Sequence, residues 1–195
     1  TTYADTNCDV FAVNYDNDYN TKDLALDTRM HKAISMIQFK LEGQIVKRWP
    51  CFEMDDRLLL DKINYEKGTI CINGKDYPMK DMDFPTVDPA NPYELSKEEE
   101  EVVARLQKAF MSCEKLQKHV RFLSSKGGLY KAYKSNLLYH GCVPMDENGE
   151  FMKVSLFGEE YSGKALYDVL EHYARRGYYS KHHPEEKKKG QDVIW

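Results

Sequence analysis

The chain has 195 residues, a mass of 22.8 kDa, a formal net charge of −4 at pH 7 and 42% hydrophobic residues. Because 12% of the residues are aromatic, and disordered chains are poor in aromatic side chains, we expect a folded protein. The acidic balance argues against a nucleic-acid partner, and the lack of a long apolar run argues against a membrane partner. The five scattered cysteines include no Cys-x-x-Cys pair, which favours reduced thiols and a cytoplasmic location.

Residues 1–20 carry four aspartates and no lysine or arginine, so they predict an acidic loop or linker. A calcium loop would also need a central glycine and a distal glutamate, which this spacing does not provide. The chain starts at Thr1 without an initiator methionine and stops at the apolar triplet 193–195, which reads like the start of a buried strand. Because natural termini are usually polar and exposed, we expect an internal piece of a longer protein.

A long amphipathic helix is predicted over about Lys22–Lys47, ending before Pro50. Lys32, Lys40 and Lys47 lie off its apolar stripe. The stripe recurs at steps of three and four and is formed by Met30, Ile34, Ile37, Leu41 and Ile45.

A short helical turn is expected at 55–62, followed by a β-hairpin closed by Asn73-Gly74, the dipeptide favoured in type I′ turns. The four prolines within 78–93 predict a stiffened loop, ordered by Phe84 and Tyr93 if these side chains dock.

The segment Ser96-Lys97-Glu98-Glu99 is a capping box that predicts the start of a long helix running to about Ser124. We interpret Glu98–Glu101 as a solvated helix start, where negative charge suits the helix dipole.

The C-terminal part of the sequence predicts a strand or a tight strand pair over Leu129–Tyr139 and a further strand near 151–154. Ser162 is expected to cap a helix that stops at Gly177. Residues 180–190 predict a charged loop, in which His182 and His183 are expected to meet solvent rather than a metal. Helices that alternate irregularly with short strands indicate an α+β fold.

The segment Leu137–Pro144 is the candidate functional site. It places His140 directly after an apolar strand, where a rigid element can aim the side chain, and Gly141 lets the backbone turn sharply. A purely structural histidine remains the alternative at this stage, and Cys142 is interpreted as a packing residue.

This segment resembles the His-Gly-Gly-x-x-Pro type motif of the calcineurin-like metallophosphatases. A longer set of segments resembles class III fructose-1,6-bisphosphatases, with one departure at Lys134, where we expect Asn more often. The matching segments are 58–70, 83–95, 114–119, 136–144, 163–168 and 173–178.

The resemblance implies a phosphatase of gluconeogenesis that hydrolyses fructose 1,6-bisphosphate to fructose 6-phosphate and phosphate. It also implies a centre of two manganese ions, with His140 as one metal ligand. Basic residues near the matching segments are candidates for binding the sugar bisphosphate: Lys134, Lys164, Arg175 and Arg176. The superfamily's Asp-x-His, Gly-Asp-x-x-Asp-Arg, Gly-Asn-His-Asp/Glu and late Gly-His motifs are absent from the sequence, so we expect this chain alone to lack the full metal site.

The implied organisation is an acidic loop or linker (1–20), a mainly helical insertion with a small hairpin (21–128) and part of a metallophosphatase β-sandwich core (129–195). The rest of a parent enzyme would be its main protein partner, and a homo-oligomer is a further option. An alternative hypothesis is a non-catalytic lid, oligomerisation or regulatory module of such an enzyme.

Overall fold

The computed structural model describes residues 21–195, with side chains from residue 26 onward, and the acidic segment 1–20 lies outside the described residues. The chain divides between Leu106 and Gln107 into two compact units. Helices and three small antiparallel sheets form the described part, which confirms the α+β prediction. No helix of this part is long and apolar enough to cross a membrane. The division after residue 128 into an insertion and a core stays a prediction.

The first unit combines a long helix, three short 3-10 turns and a three-stranded antiparallel sheet in the order β1-β2-β3. The predicted first helix is confirmed, and Pro50 begins a 3-10 turn instead of continuing it. The elements are α1 (Thr21–Arg48), the turns Pro50–Phe52, Asp55–Arg57 and Leu60–Lys62, and the strands β1 (Ile63–Asn64), β2 (Thr69–Ile72) and β3 (Lys75–Pro78).

The predicted hairpin is confirmed. Strands β2 and β3 pair with Ile72 opposite Lys75, so Asn73 and Gly74 alone form the turn. Their φ angles of +51° and +75° are those of a type I′ turn, which matches the twist of the two strands.

The buried face of α1 is not the apolar stripe alone. Ile37 is 2% exposed, but Met30 and Ile34 are each 43% exposed, whereas the side chains of Lys32 and Lys40 are buried. A buried ammonium group is tolerated only when it is paired, and both lysines have carboxylate partners far along the chain. These partners define the packing of the first unit.

Lys40 and Glu99 form a buried ion pair with an Nζ–Oε2 distance of 2.7 Å, and both side chains are fully buried. The Glu99 carboxylate also accepts hydrogen bonds from the Thr86 hydroxyl at 2.7 Å and from the Ser96 backbone amide at 2.8 Å. The Ser96 hydroxyl in turn accepts from the Glu99 amide at 3.3 Å, which confirms the predicted capping box. The interpretation of Glu99 as solvated was wrong, because Lys40 supplies the charge that lets its carboxylate be buried.

The proline-containing loop 78–93 packs along α1. Lys32 pairs with Asp81 at 2.7 Å, and the Gln44 side-chain amide donates to the Tyr93 carbonyl at 2.8 Å. Burial by itself raises the pKa of Asp81, but hydrogen bonds from Lys32 and from a backbone amide, with the Lys32 charge, hold that pKa below its ordinary value. The side chain of Tyr93 is 4% exposed, so this loop is ordered by docking, as expected.

Helix α2 (Lys97–Ser112) spans the division between the units, and the predicted single helix to Ser124 was wrong. The chain is extended at Cys113, with φ −78° and ψ 98°, before α3 (Glu114–Lys126) begins. The Gln117 side-chain amide donates to the Phe110 carbonyl at 3.0 Å, which satisfies one of the groups that a helix end leaves unpaired.

The second unit continues with two separate two-stranded sheets and two helices. The alternative of a tight strand pair over 129–139 is confirmed. The elements are β4 (Tyr130–Tyr133), β5 (Asn136–Tyr139), β6 (Val154–Leu156), β7 (Glu159–Tyr161), α4 (Gly163–Tyr179) and α5 (Pro184–Ile194).

The end of the chain departs most from the sequence-based expectation. Helix α4 begins after Ser162 as predicted, although the Ser162 hydroxyl makes no capping hydrogen bond, and it runs through Gly177 to Tyr179. The predicted loop 180–190 is largely helix α5, which also takes in Val193 and Ile194 rather than leaving them to start a strand. Gly177 is not a stop signal, because it lies where the backbones of α4 and α5 meet.

Candidate functional site

The loop 140–144, here called the His140 loop, leaves the base of the β4–β5 hairpin. Tyr130 pairs with Tyr139, so His140 is the first residue beyond the ribbon, and its backbone amide donates to the Leu129 carbonyl at 3.3 Å. Gly141 has a φ of +76°, a conformation that glycine adopts without strain. The predicted position of His140 at the end of a strand is confirmed.

The start of α4 holds this loop through an aromatic pair. The Tyr167 hydroxyl donates to the Cys142 carbonyl at 3.1 Å. The Tyr167 ring also stacks on Tyr130, with ring centroids 5.9 Å apart and planes 23° apart. One tyrosine therefore fixes both the hairpin base and the loop that follows it.

Lys164 lies on the same side of α4, one turn before Tyr167. Its ammonium group pairs with Asp168, which also accepts a hydrogen bond from the Tyr130 hydroxyl at 3.0 Å. Hydrogen bonding to Asp168 and Tyr130 raises the pKa of Lys164, and the bond from Lys164 lowers the pKa of the Asp168 carboxyl. Lys164 stays charged in this arrangement and borders the hairpin from which the His140 loop leaves.

The two candidate arginines serve the packing of helices in the structure. Arg175 donates to the carbonyls of Ser124 and Gly127, the latter at 2.8 Å, and so closes the C-terminal end of α3. Arg176 pairs with Glu186 of α5 at 2.9 Å. Their guanidinium groups are therefore engaged within the second unit.

Lys134 lies at the far tip of the hairpin, away from His140. Strand residues rise about 3.3 Å each, so the tip is roughly 10 Å or more from the base of the ribbon. Lys134 and Ser135 form the two-residue turn with φ angles of +45° and +66°. Asn adopts this conformation more readily than Lys, which gives a physical reason for expecting Asn at this position.

The structure thus brings Lys164 near the His140 loop and leaves the other three basic candidates elsewhere. Sequence reasoning did not single out Tyr130, Tyr167 and Asp168. The spacing of 164, 167 and 168 was the available signal, because residues three and four apart share a helix face.

The whole sequence was compared with known protein families and with curated proteins. The sequence profile described as Firmicute fructose-1,6-bisphosphatase matches residues 1–195. The chain belongs to this family.

Three curated relatives show how far the similarity extends. The chain is 51% identical to a class 3 fructose-1,6-bisphosphatase of Alkaliphilus metalliredigens, and the match covers 99% of this chain and 30% of the relative. Proteins of the same name from Clostridioides difficile and Clostridium botulinum are 50% and 49% identical, with 29% of each covered. The chain therefore spans less than a third of the length of these family members. No solved structure matches it.

A two-ion centre does not fit the residues that the structure describes in this family member. His140 is exposed, and no group of three or more His, Cys, Asp or Glu side chains within the described residues could hold a metal ion. One imidazole cannot supply the ligands of two divalent ions. His182 and His183 are likewise exposed and belong to no such group within residues 26–195.

Residues 131–138 of the β4–β5 ribbon are exposed, whereas Tyr130 at its base packs on Tyr167. Leu137 and Leu138 are neighbours in one strand and so point to opposite faces, yet they are 59% and 57% exposed. The placement of this strand in a β-sandwich core stays a prediction, and the exposed leucines are consistent with it.

The Tyr167 hydrogen bond gives a direct test of how the His140 loop is held. Tyr167→Phe removes the bond to the Cys142 carbonyl and keeps the stacked ring. A loss of about 1 kcal/mol should speed exchange about fivefold at the two amides whose hydrogen bonds tie the loop down, those of His140 to the Leu129 carbonyl and of Met152 to the Pro144 carbonyl. Peptide-resolved hydrogen exchange measures this. Tyr133→Phe at the exposed hairpin tip is the control and should leave these amides unchanged; equal exchange in both variants would show that the Tyr167 bond does not hold the loop.

Proposed function

We propose that this chain forms part of a metal-dependent phosphatase that hydrolyses fructose 1,6-bisphosphate to fructose 6-phosphate and phosphate. The observation that carries the proposal is the 49–51% identity, over 99% of this chain, to three proteins named class 3 fructose-1,6-bisphosphatase. A role in gluconeogenesis and manganese as the metal are proposed from the family resemblance, and a cytoplasmic location from the scattered cysteines without a Cys-x-x-Cys pair. The remainder of the enzyme is its proposed partner.

Within this function, His140 is proposed to contribute one metal ligand, and the other ligands would come from outside the described residues. The support is its position beyond a paired strand, on a loop held by Tyr167. When bound, the metal would supply the Lewis-acid chemistry of phosphoester hydrolysis.

Of the four basic residues proposed to bind the sugar bisphosphate, Lys164 has the most structural support. It borders the hairpin that presents His140, and its neighbours Asp168 and Tyr130 hold its ammonium group in place. Substrate binding by Arg175 and Arg176 would require these guanidinium groups to leave the carbonyls and carboxylate that they now contact. Lys134 would need the substrate to reach the hairpin tip.

The test uses a chimera of the Alkaliphilus metalliredigens relative in which this chain replaces the matched segment. With manganese, the chimera should release phosphate from fructose 1,6-bisphosphate. His140→Ala in the chimera should lower kcat by on the order of 100-fold and reduce bound metal, because a ligand matters at least as much as the groups that orient it. Both phosphate release and metal content by mass spectrometry are measured.

The matched control for this test is Lys153→Ala, a change on the exposed Lys153–Glu160 pair, which should leave rate and metal content unchanged. Efficient hydrolysis of another phosphoester without release from fructose 1,6-bisphosphate would contradict the proposed substrate. Normal metal content in His140→Ala would contradict the ligand assignment.

A second candidate function is a non-catalytic lid, oligomerisation or regulatory module. It is favoured by the lack of a metal-binding group within residues 26–195. The His140→Ala chimera separates the two candidates. Loss of metal and of phosphate release would exclude the non-catalytic module, whereas unchanged metal content and rate would support it.

A further inference from the structure

Three helices of the second unit line an open groove with a volume of about 700 Å³. Helix α4 supplies more of its lining residues than α3 or α5 does. We call it the α4 groove. Its apolar lining consists mainly of Val120, Leu123, Leu129, Leu170, Ala174 and Val193.

The charged groups in the α4 groove are already used inside the unit. Arg175 donates to carbonyls at the end of α3, and Glu171 accepts the Leu129 amide at 2.6 Å. Glu171 and Arg175 also lie 3.5 Å apart as an ion pair. A polar ligand such as a sugar phosphate would have to displace these bonds, so the groove favours an apolar occupant.

Large apolar side chains stand exposed on α3 and α5 beside the groove. Leu123 on α3 is 64% exposed and Ile194 on α5 is 59% exposed, and Phe122 beside Leu123 is 64% exposed. Contiguous exposed apolar surface of this kind marks an interaction site. An apolar groove lined by three helices is suited to an amphipathic helix that inserts its apolar face.

We propose that the α4 groove is the docking site for an apolar helical stripe in the part of a class 3 enzyme that lies outside the matched segment. The matched segment is only 29–30% of each relative, so more than two thirds of each relative is available to supply such a helix. This inference rests on the proposed function only in taking the chain to work as part of the larger enzyme. A second copy of this chain is the competing occupant.

The test measures thiol accessibility at two positions that line the groove. Leu123→Cys and Ile194→Cys are made singly in the 195-residue chain and in the chimera with the Alkaliphilus metalliredigens relative. Maleimide labelling is followed by peptide-resolved mass spectrometry, which separates the new thiols from the native ones. Both cysteines should label readily in the isolated chain and at least about tenfold more slowly in the chimera, as expected for a side chain that becomes buried.

Lys118→Cys is the matched control, because Lys118 is exposed on the same helix and does not line the groove. It should label equally fast in both proteins. Equal labelling of Leu123→Cys in both proteins would overturn the proposal. Slowed labelling in the isolated chain as its concentration rises would also overturn it, in favour of a second copy.

Failure of the docking proposal and failure of the proposed activity give different results. A chimera that protects Leu123→Cys but releases no phosphate would retain the docking site and contradict the proposed activity. If the chimera does not fold, the same cysteine at the aligned position of the intact relative, compared with the isolated chain, gives the decisive measurement.

Discussion

Lys40→Met is expected to destabilise the first unit by about 3–5 kcal/mol, because it leaves the Glu99 carboxylate charged and fully buried. Methionine keeps most of the apolar volume of the lysine stem, so the expected loss comes from the missing charge. The bonds from Thr86 and Ser96 remain, but two neutral donors do not replace an ammonium group at 2.7 Å.

The two tryptophans allow this loss to be measured in the correct unit. Trp49 belongs to the first unit and Trp195 to the second. In a Trp195→Phe background, urea unfolding followed by fluorescence reports Trp49 alone. The free energy of unfolding from this transition should fall for Lys40→Met.

Two control variants separate the burial of charge from the loss of an ion pair as such. Lys47→Met breaks an ion pair of the same unit whose side chains are 48% and 37% exposed, and should change stability by at most about 1 kcal/mol. Adding Glu99→Gln to Lys40→Met removes the remaining charge and should recover part of the loss. A loss below about 1 kcal/mol for Lys40→Met would show that Glu99 tolerates its burial without this partner.

The same ion pair explains what hydrophobic periodicity misses in α1. The pattern correctly predicts the helix, because the apolar spacing and Pro50 are local signals. It does not identify the buried lysines, since their partners lie 49 and 59 residues away at Asp81 and Glu99. Only the fold brings those charges together, so periodicity alone underestimates this packed face.

Local chemistry is the part of this fold that the sequence predicts well. The turn Asn73-Gly74 and the capping box from Ser96 to Glu99 both occur as expected, because each is specified within four residues. The break at Cys113 carries neither glycine nor proline, so nothing local indicates it. Helix α5 does carry a start signal, with Pro184 at its first turn, but its many charged residues favoured a loop.

In the candidate site, too, local features could be predicted from the sequence and long-range contacts could not. The strand-end position of His140 follows from a short apolar run and Gly141. The bond from Tyr167 to the Cys142 carbonyl joins residues 25 apart and depends on how α4 crosses the hairpin. For the arginines, the sequence suggests a role that the structure does not favour. Positive charge suggests phosphate binding, but the Arg175 guanidinium already donates to a backbone carbonyl in the fold.

Gly190→Ala is expected to destabilise the second unit by about 2–3 kcal/mol, because it forces α4 and α5 apart. A Cβ at residue 190 would lie 2.7 Å from the Gly177 Cα and closer still to the Tyr173 carbonyl oxygen. These are backbone atoms of a helix, so no side-chain rotation relieves the clash. The helix contact therefore requires glycine on both sides.

The sign of this effect makes the test decisive. If α4 and α5 did not touch at this point, alanine would stabilise the helix interior by about 1 kcal/mol relative to glycine. Urea unfolding followed by Trp195 fluorescence in a Trp49→Phe background reports the second unit, and Gln191→Ala, at the next, exposed position, should stay within about 0.5 kcal/mol. A stabilised Gly190→Ala would contradict the backbone contact, and with it the geometry by which α5 lines the α4 groove.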